Sequence, residues 1–247
     1  MSREHPLQPM LRKLRYWFDL DEDDAAAVLA LPHRVKALER LHYVVRERET
    51  ATHCCLMISG YSIRHKIVVH GARQIVAIHM VGDMVDLQNS MLETADHSVQ
   101  MLTAGEVALI PREAIQELAL QRPRIGMAMW KDTLVDGSVF REWIANVGRR
   151  DAATRLAHVL CEFALRLKLA GLGEQTTYEL PMSQEQLADV LGLTSVHLNR
   201  TLQALEQQQL ISRNKRSVTI GDWQRLADAG DFDATYLHLP AGEAVSA

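Results

Sequence analysis

Val196, Arg200, Gln203 and Gln207 fall on one side of a short C-terminal segment, opposite Leu198, Leu202 and Leu205. Stepping about 100° per residue makes that segment an amphipathic helix with a polar outer face. Asn199 and His197 lie on its flanks. A short helix with such a face suits the major groove of DNA, provided that a second helix is set across a tight turn from it. The preceding residues supply that partner. Ser183 followed by Gln186 has the form of a capping box, Leu187, Val190 and Leu191 make a buried side, and Gly192 can end the helix in a conformation other residues resist. Thr194 can then cap the outer helix. The pattern is a helix-turn-helix.

Downstream, Leu210-Ile211-Ser212-Arg213-Asn214-Lys215-Arg216-Ser217-Val218-Thr219-Ile220 is two β-favouring runs around a basic turn. Taken alone, a charged hairpin tip is a solvated turn. Placed directly after a helix-turn-helix, it reads as a wing, with Arg213, Lys215 and Arg216 set to meet phosphates.

Other residues with chemical potential are less organised. Cys54 and Cys55 are adjacent, and with Cys161 they make no disulfide framework; the pair reads as two small apolar residues in a strand, with a vicinal dithiol sensor as the alternative. Seven histidines (His33, His42, His53, His65, His70, His79 and His97) are scattered between residues 33 and 97. No pair has the short spacing of a zinc site, so no metal or cofactor is expected, with haem the open alternative. The acidic run Asp19 to Asp24 reads as a helix N-terminus and a solvated face. There is no phosphate-cradling glycine loop, nucleophile elbow or closely spaced acid–base pair, so catalysis is not expected.

The chain has 247 residues and a net charge of -4, so any DNA contact must come from a local basic patch. No 18-residue apolar run and no cleavable leader stand out, which makes the cytoplasm the expected compartment and a membrane no partner. At about 150 residues per domain, two domains are expected. After a helical opening (Leu11 to Leu31), Gly60, Gly71 and Gly82 punctuate β-rich runs at eleven-residue intervals, the signature of a small antiparallel sandwich or barrel ending near Pro111. A long helix should run from about Arg124 to Val147. Met127, Trp130, Leu134, Gly137, Phe140 and Ile144 are its candidate dimer face, because its apolar residues spread over more than one side. Burial of the same helix inside one large domain is the alternative. Gly148-Arg149-Arg150-Asp151 breaks the pattern as a candidate hinge, and Asp151 can cap a further helix to about Leu169.

Barrel, long helix, hinge and winged helix, in that order, resemble the Crp–Fnr superfamily of bacterial transcription regulators. The resemblance is densest at Gly148-Arg149-Arg150-Asp151 with Arg155-Leu156-Ala157, at Leu180-Pro181-Met182-Ser183-Gln184 and at Gly192 to Leu202. It implies an α+β fold: a β-barrel effector domain of the cyclic-nucleotide-binding type over residues 1–123, a dimerisation helix at 124–148, a winged helix-turn-helix at 149–239 and a flexible tail at 240–247. It also implies a homodimer on a palindromic operator, responding to a signal in the barrel, with RNA polymerase as a partner if the protein activates.

Departures from the family pattern bear on that signal. Where cyclic-AMP binders of the family carry Gly-Glu-Leu and Arg-Ser-Ala, this chain reads Asp86-Leu87-Gln88 and His97-Ser98-Val99. Asp86, Leu87, His97 and Ser98 are therefore the candidate effector pocket, without the arginine fork that would hold a cyclic phosphate. An unidentified small molecule other than cyclic AMP is the expected effector, with a regulator that takes no ligand, or a barrel that binds another protein, as the alternative. An iron–sulfur cluster of the family's four-cysteine type is excluded, since only three cysteines exist and none precedes residue 54. In the outer helix, the family places a Glu, a variable residue and an Arg on base edges. Arg200 matches the arginine and can bind guanine O6 and N7, while Val196 replaces the glutamate and can meet a thymine methyl. Asn199 and Gln203 are secondary base-contact candidates. Ser195 and His197 are placed for phosphate, with a packing role on the helix flank equally open for His197. Ser183 and Thr194 complete the candidate DNA-binding set.

Overall fold

The computed structural model describes residues 4–239; the expected tail at 240–247 lies outside the described residues. The chain divides into two compact units, one reaching Gly137 and the other starting at Ser138.

The first unit opens with α1 (Gln8–Trp17) and α2 (Glu22–Leu29), where the sequence suggested one helical stretch. The acidic run causes the break. Asp21 caps α2 by accepting from the Asp24 amide at 2.8 Å, and Glu22, Asp23 and Asp24 fill the first turn, where carboxylates offset the helix dipole. Seven strands follow: β1 (Arg34–Leu38), β2 (Tyr43–Val45), β3 (His53–Met57), β4 (Ser62–Ile67), β5 (Arg73–His79), β6 (Ser98–Met101) and β7 (Gly105–Pro111). They form two antiparallel sheets, ordered β1-β7-β3 and β2-β6-β4-β5. The three evenly spaced glycines all adopt positive φ, at 79°, 80° and 92°. At Gly60 a Cβ would also stand 2.8 Å from the Ala104 carbonyl oxygen, so the turn is closed to any side chain.

β3 is apolar without alternation because both its faces are covered. Cys55 and Met57 point between the sheets, with Leu38, Val85, Val99, Met101 and Val107. Cys54 and Leu56 point the other way, into a core shared with Leu11 and Leu14 of α1, Val28 of α2, Ile115 of α3 (Arg112–Gln121) and Ile125 of α4 (Pro123–Arg149). The adjacent cysteines therefore sit on opposite faces. Burial pushes both thiols, and that of Cys161, well above the ordinary thiol range. A dithiol sensor finds no support in that setting, and α3 is a helix the sequence pattern left out.

The second unit holds the end of α4, then α5 (Ala152–Leu169), β8 (Thr177–Glu179), α6 (Gln184–Leu191), α7 (Ser195–Gln207), β9 (Ile211–Asn214), β10 (Ser217–Ile220), α8 (Trp223–Ala229) and a 3-10 turn at Ala234–Leu237. The sheet is ordered β8-β10-β9. Neither β8 nor α8 was expected from sequence. The main chain breaks where the sequence suggested: α4 ends at Arg149, and Asp151 caps α5 through the Ala153 and Thr154 amides at 2.9 and 3.0 Å. The compact division nevertheless falls twelve residues earlier, within α4. The cause is Trp143 and Asn146, both buried, which bond to Glu162 and to the Arg155 carbonyl of α5 and so tie the end of α4 to the second unit.

The segment after α8 packs back onto the same place. The Tyr236 hydroxyl donates to Glu162 Oε2 at 2.7 Å, beside the Trp143 indole donating to the same oxygen at 2.9 Å. Tyr236 stacks on His158, whose ring also meets Phe232 edge-on. His158 Nδ1 lies 3.1 Å from the Gly230 carbonyl, which assigns the proton to Nδ1 and leaves Nε2 unprotonated, 3.2 Å from the Tyr236 oxygen whose own proton goes to Glu162. Burial lowers the His158 pKa and keeps the ring neutral. Arg150 closes the arrangement on Glu142 and, at 2.9 Å, on Asp231.

Candidate nucleic-acid interface

The helix pair is built from local contacts. The capping box of α6 is complete, with the Gln186 amide donating to Ser183 Oγ at 3.2 Å and the Ser183 amide donating to Gln186 Oε1 at 2.9 Å. Gly192 ends α6 in the left-handed conformation, at φ 65° and ψ 36°. Thr194 Oγ1 accepts from the His197 amide at 3.2 Å and starts α7. Leu198, Leu202 and Leu205 are fully buried, and Arg155 of α5 donates to the Leu191 carbonyl at 3.0 Å and to the Arg150 carbonyl at 2.8 Å. Arg155 thus ties the C-terminus of α6 to the turn between α4 and α5. Its bond to Leu191 crosses thirty-six residues, which no local pattern reveals.

Ser195, Val196, His197, Asn199, Arg200 and Gln203 are all exposed on α7. Val196 is 65% exposed. Thr194, Val196, His197, Arg200, Thr201 and Ala204 line an open cleft of about 580 Å³ facing the start of α5. Ser183 and Thr194 are different. Both hydroxyl oxygens accept from backbone amides as helix caps, which leaves each hydroxyl proton to donate elsewhere.

The three wing cations also divide. β9 and β10 pair in register from Asn214–Ser217 to Ile211–Ile220, leaving Lys215 and Arg216 exposed in the turn. Lys215 takes a φ of 55°, which costs a β-carbon-bearing residue about 1 kcal/mol and shows how tight the turn is. Arg213 points elsewhere. Its Nε and Nη2 donate to the two carboxylate oxygens of Glu206, at 3.0 and 2.8 Å, and this pair holds the Glu206 carboxyl below its usual range.

Two family models match the chain. One, described as a Crp-like helix-turn-helix domain, covers residues 154–229; the other, a cyclic nucleotide-binding domain, covers residues 35–122. The chain belongs to the Crp–Fnr superfamily of transcription regulators. The transcriptional activator protein FnrL of Cereibacter sphaeroides is 29% identical to this regulator over 180 residues, covering 71% of the chain and 72% of FnrL. The nitrogen fixation regulation protein FixK of Azorhizobium caulinodans is 26% identical over 203 residues, covering 79% and 81%. In fold, the regulator is similar to FixK2 of Bradyrhizobium japonicum, with a TM-score of 0.74 and 24% identity over 81% of this chain and 98% of that one. It is a DNA-binding transcription regulator of α+β architecture, with a β-rich N-terminal domain, a long helix and a C-terminal helix-turn-helix. Among the described residues, no helix is long and apolar enough to cross a membrane.

The regulator's candidate effector residues are heavily committed to its own fold. Asp86 is buried and accepts from the Cys55 amide within 2.6 Å; burial pushes its carboxyl up to about 7. Leu87 belongs to the helix-facing core rather than the space between the sheets, because the chain turns there and presents Val85 inward instead. His97 is buried against Asp96 at 2.6 Å and Gln88 at 3.3 Å, and desolvation lowers its pKa. Ser98 accepts from the Glu47 amide at 3.0 Å. The buried guanidinium of this domain is one the sequence reading missed. Arg64 of β4, 3% exposed, donates to Asp136 of α4 at 2.8 Å and to the Val85 carbonyl at 2.6 Å. The barrel histidines are dispersed, and among the described residues no three His, Cys, Asp or Glu side chains converge as a metal site.

Proposed function

We propose that this regulator is a cytoplasmic homodimer that reads a two-fold symmetric operator, with α7 in the major groove and the wing tip on the backbone. The observation that carries the reading is the outer face of α7, where Val196, Asn199, Arg200 and Gln203 stand free beside a fully buried leucine stripe. Arg200 reads guanine and Val196 packs on a thymine methyl. Asn199 and Gln203 add base contacts, and Ser195, His197, Lys215 and Arg216 meet phosphate. The dimer rests on α4, whose Met127, Trp130, Leu134 and Ile144 are 44, 59, 58 and 69% exposed in a line, with Gly137 and Phe140 half-buried between them. A stripe of that size on one helix calls for a second helix.

DNA affinity is set by a small-molecule signal in the N-terminal domain, other than cyclic AMP, and RNA polymerase is the partner in activation. Catalysis, metal and haem have no part in this reading. Selection of bound sequences from random duplex DNA, at fixed moderate salt, tests it. A recovered palindrome with guanine in each half-site and no cytosine dependence at the Val196 position is the expected result. An asymmetric motif, or none with or without cell metabolites, would refute the dimeric reading.

A further inference from the structure

Arg213 lies in the wing, yet its geometry turns it away from the groove. β9 alternates, with Ile211 buried, Ser212 exposed, Arg213 half-buried and Asn214 exposed. Residues two apart share a face of a strand, so Arg213 points with Ile211 toward α7 rather than with Asn214 toward solvent. There it meets Glu206 on the last turn of α7, next to the buried Leu202 and Leu205. The contact is a fork, two nitrogens on two oxygens, with the side chains 20% and 31% exposed. Such planar pairing fixes orientation as well as distance. Ile211, Val218 and Ile220 fasten the apolar side of the hairpin, and among the described contacts the Arg213–Glu206 fork is the polar tie between β9 and α7.

We infer that Glu206 and Arg213 are positioning residues that lock the wing onto the reading helix, so that α7 and the Lys215–Arg216 turn engage one duplex in fixed register. Neither side chain contacts DNA. The inference rests on the proposed assignment of α7 and the wing turn to DNA. It carries an electrostatic signature opposite in sign to the ordinary one. A carboxylate near a polyanion weakens binding, and its removal ordinarily tightens it. If Glu206 instead holds the wing in place, its removal loosens binding.

The test is fluorescence anisotropy with the operator recovered by selection, over a salt series, for the full chain and for E206Q, R213Q, the double variant and K215Q. E206Q and R213Q are each expected to weaken binding by about two- to fivefold per half-site, the reach of a partly exposed ion pair. The double variant should lose no more than either single one, and the slope against log salt should stay that of the parent. K215Q should instead flatten the slope by about one phosphate per half-site. Tighter binding by E206Q, or a flattened slope for R213Q, would overturn the inference and leave the DNA assignment standing. A parent protein that selects no operator would overturn both. Should R213Q lose its fold, the charge-reversed pair E206R with R213E decides: recovery of affinity relative to R213E alone is expected, and a further loss refutes positioning.

Discussion

Replacing Tyr236 with Phe deletes one oxygen from the buried cluster that ties the C-terminal segment to α4 and α5. That hydroxyl donates to Glu162 Oε2 at 2.7 Å and also lies 3.2 Å from His158 Nε2. Burial and the facing Glu162 raise the phenol pKa far above its usual range, so the oxygen keeps its proton under all working conditions. In the variant, the ring still stacks on His158 and no appreciable cavity opens. Glu162, 2% exposed, keeps the Trp143 indole on the same oxygen and Arg166 at 3.3 Å on the other. The loss is thus one buried hydrogen bond to a carboxyl that stays partly satisfied, about 1–3 kcal/mol. For a unit of roughly 100 residues, each kcal/mol lowers the melting midpoint by about 4–8 °C. Urea titration followed by tryptophan emission measures it in a Trp17→Phe, Trp130→Phe background shared by parent and variant, which leaves Trp143 and Trp223 of the second unit as the reporters. The unfolding midpoint of that unit should fall with its denaturant slope unchanged. A variant within about 0.3 kcal/mol of the parent would refute the tether, because the net worth of a buried bond to Glu162 would then be that of a solvated one.

Arg200→Ala should cost about 1–3 kcal/mol at one base pair in each half-site and relax selection there, while other operator positions keep their preferences in the same binding assay. Leu134→Glu puts a charge in the exposed α4 stripe and should convert the dimer to monomer in light scattering; an unchanged mass would remove α4 from the interface. Asp86→Asn tests the barrel's buried carboxyl. Its folded pKa of about 7 lies above the usual 3.8, so its stabilising contribution is complete below about 3.8 and is lost as pH rises through 7. Asparagine cannot ionise, so the variant should match the parent near pH 3.5 and exceed it at pH 8 by a few kcal/mol, on the order of the full shift. His97 and His158, both lowered by burial, act in the opposite sense, losing stability as pH falls through about 6.5 in parent and variant alike, and so cancel in the difference. Equal urea midpoints at pH 8 would refute the buried-charge account.

The sequence by itself determined whatever closes over three or four residues. Ser183 and Gln186, Gly192, Thr194 and Asp151 each satisfy a helix end through groups a few positions away, so spacing alone places α5, α6, α7 and the outward face with Arg200. The turn glycines of the barrel were legible for the same reason, since a positive φ is a demand on one residue. Only the tertiary structure decided contacts between groups that sequence separation leaves unrelated. Arg64 and Asp136 lie seventy-two residues apart, and Glu162 and Tyr236 seventy-four. Nothing in β4 or the C-terminal segment announces either partner, because a buried polar group is satisfied by whichever element the packing brings to it. The same holds for the unit boundary at Gly137, which follows from Trp143 and Asn146 docking on α5 and not from any break in α4. Arg213 stands between the two cases. The alternation of β9 is written in the sequence, but which face of the hairpin meets α7, and hence whether its charge faces Glu206 or a phosphate, is settled only once the helix has packed.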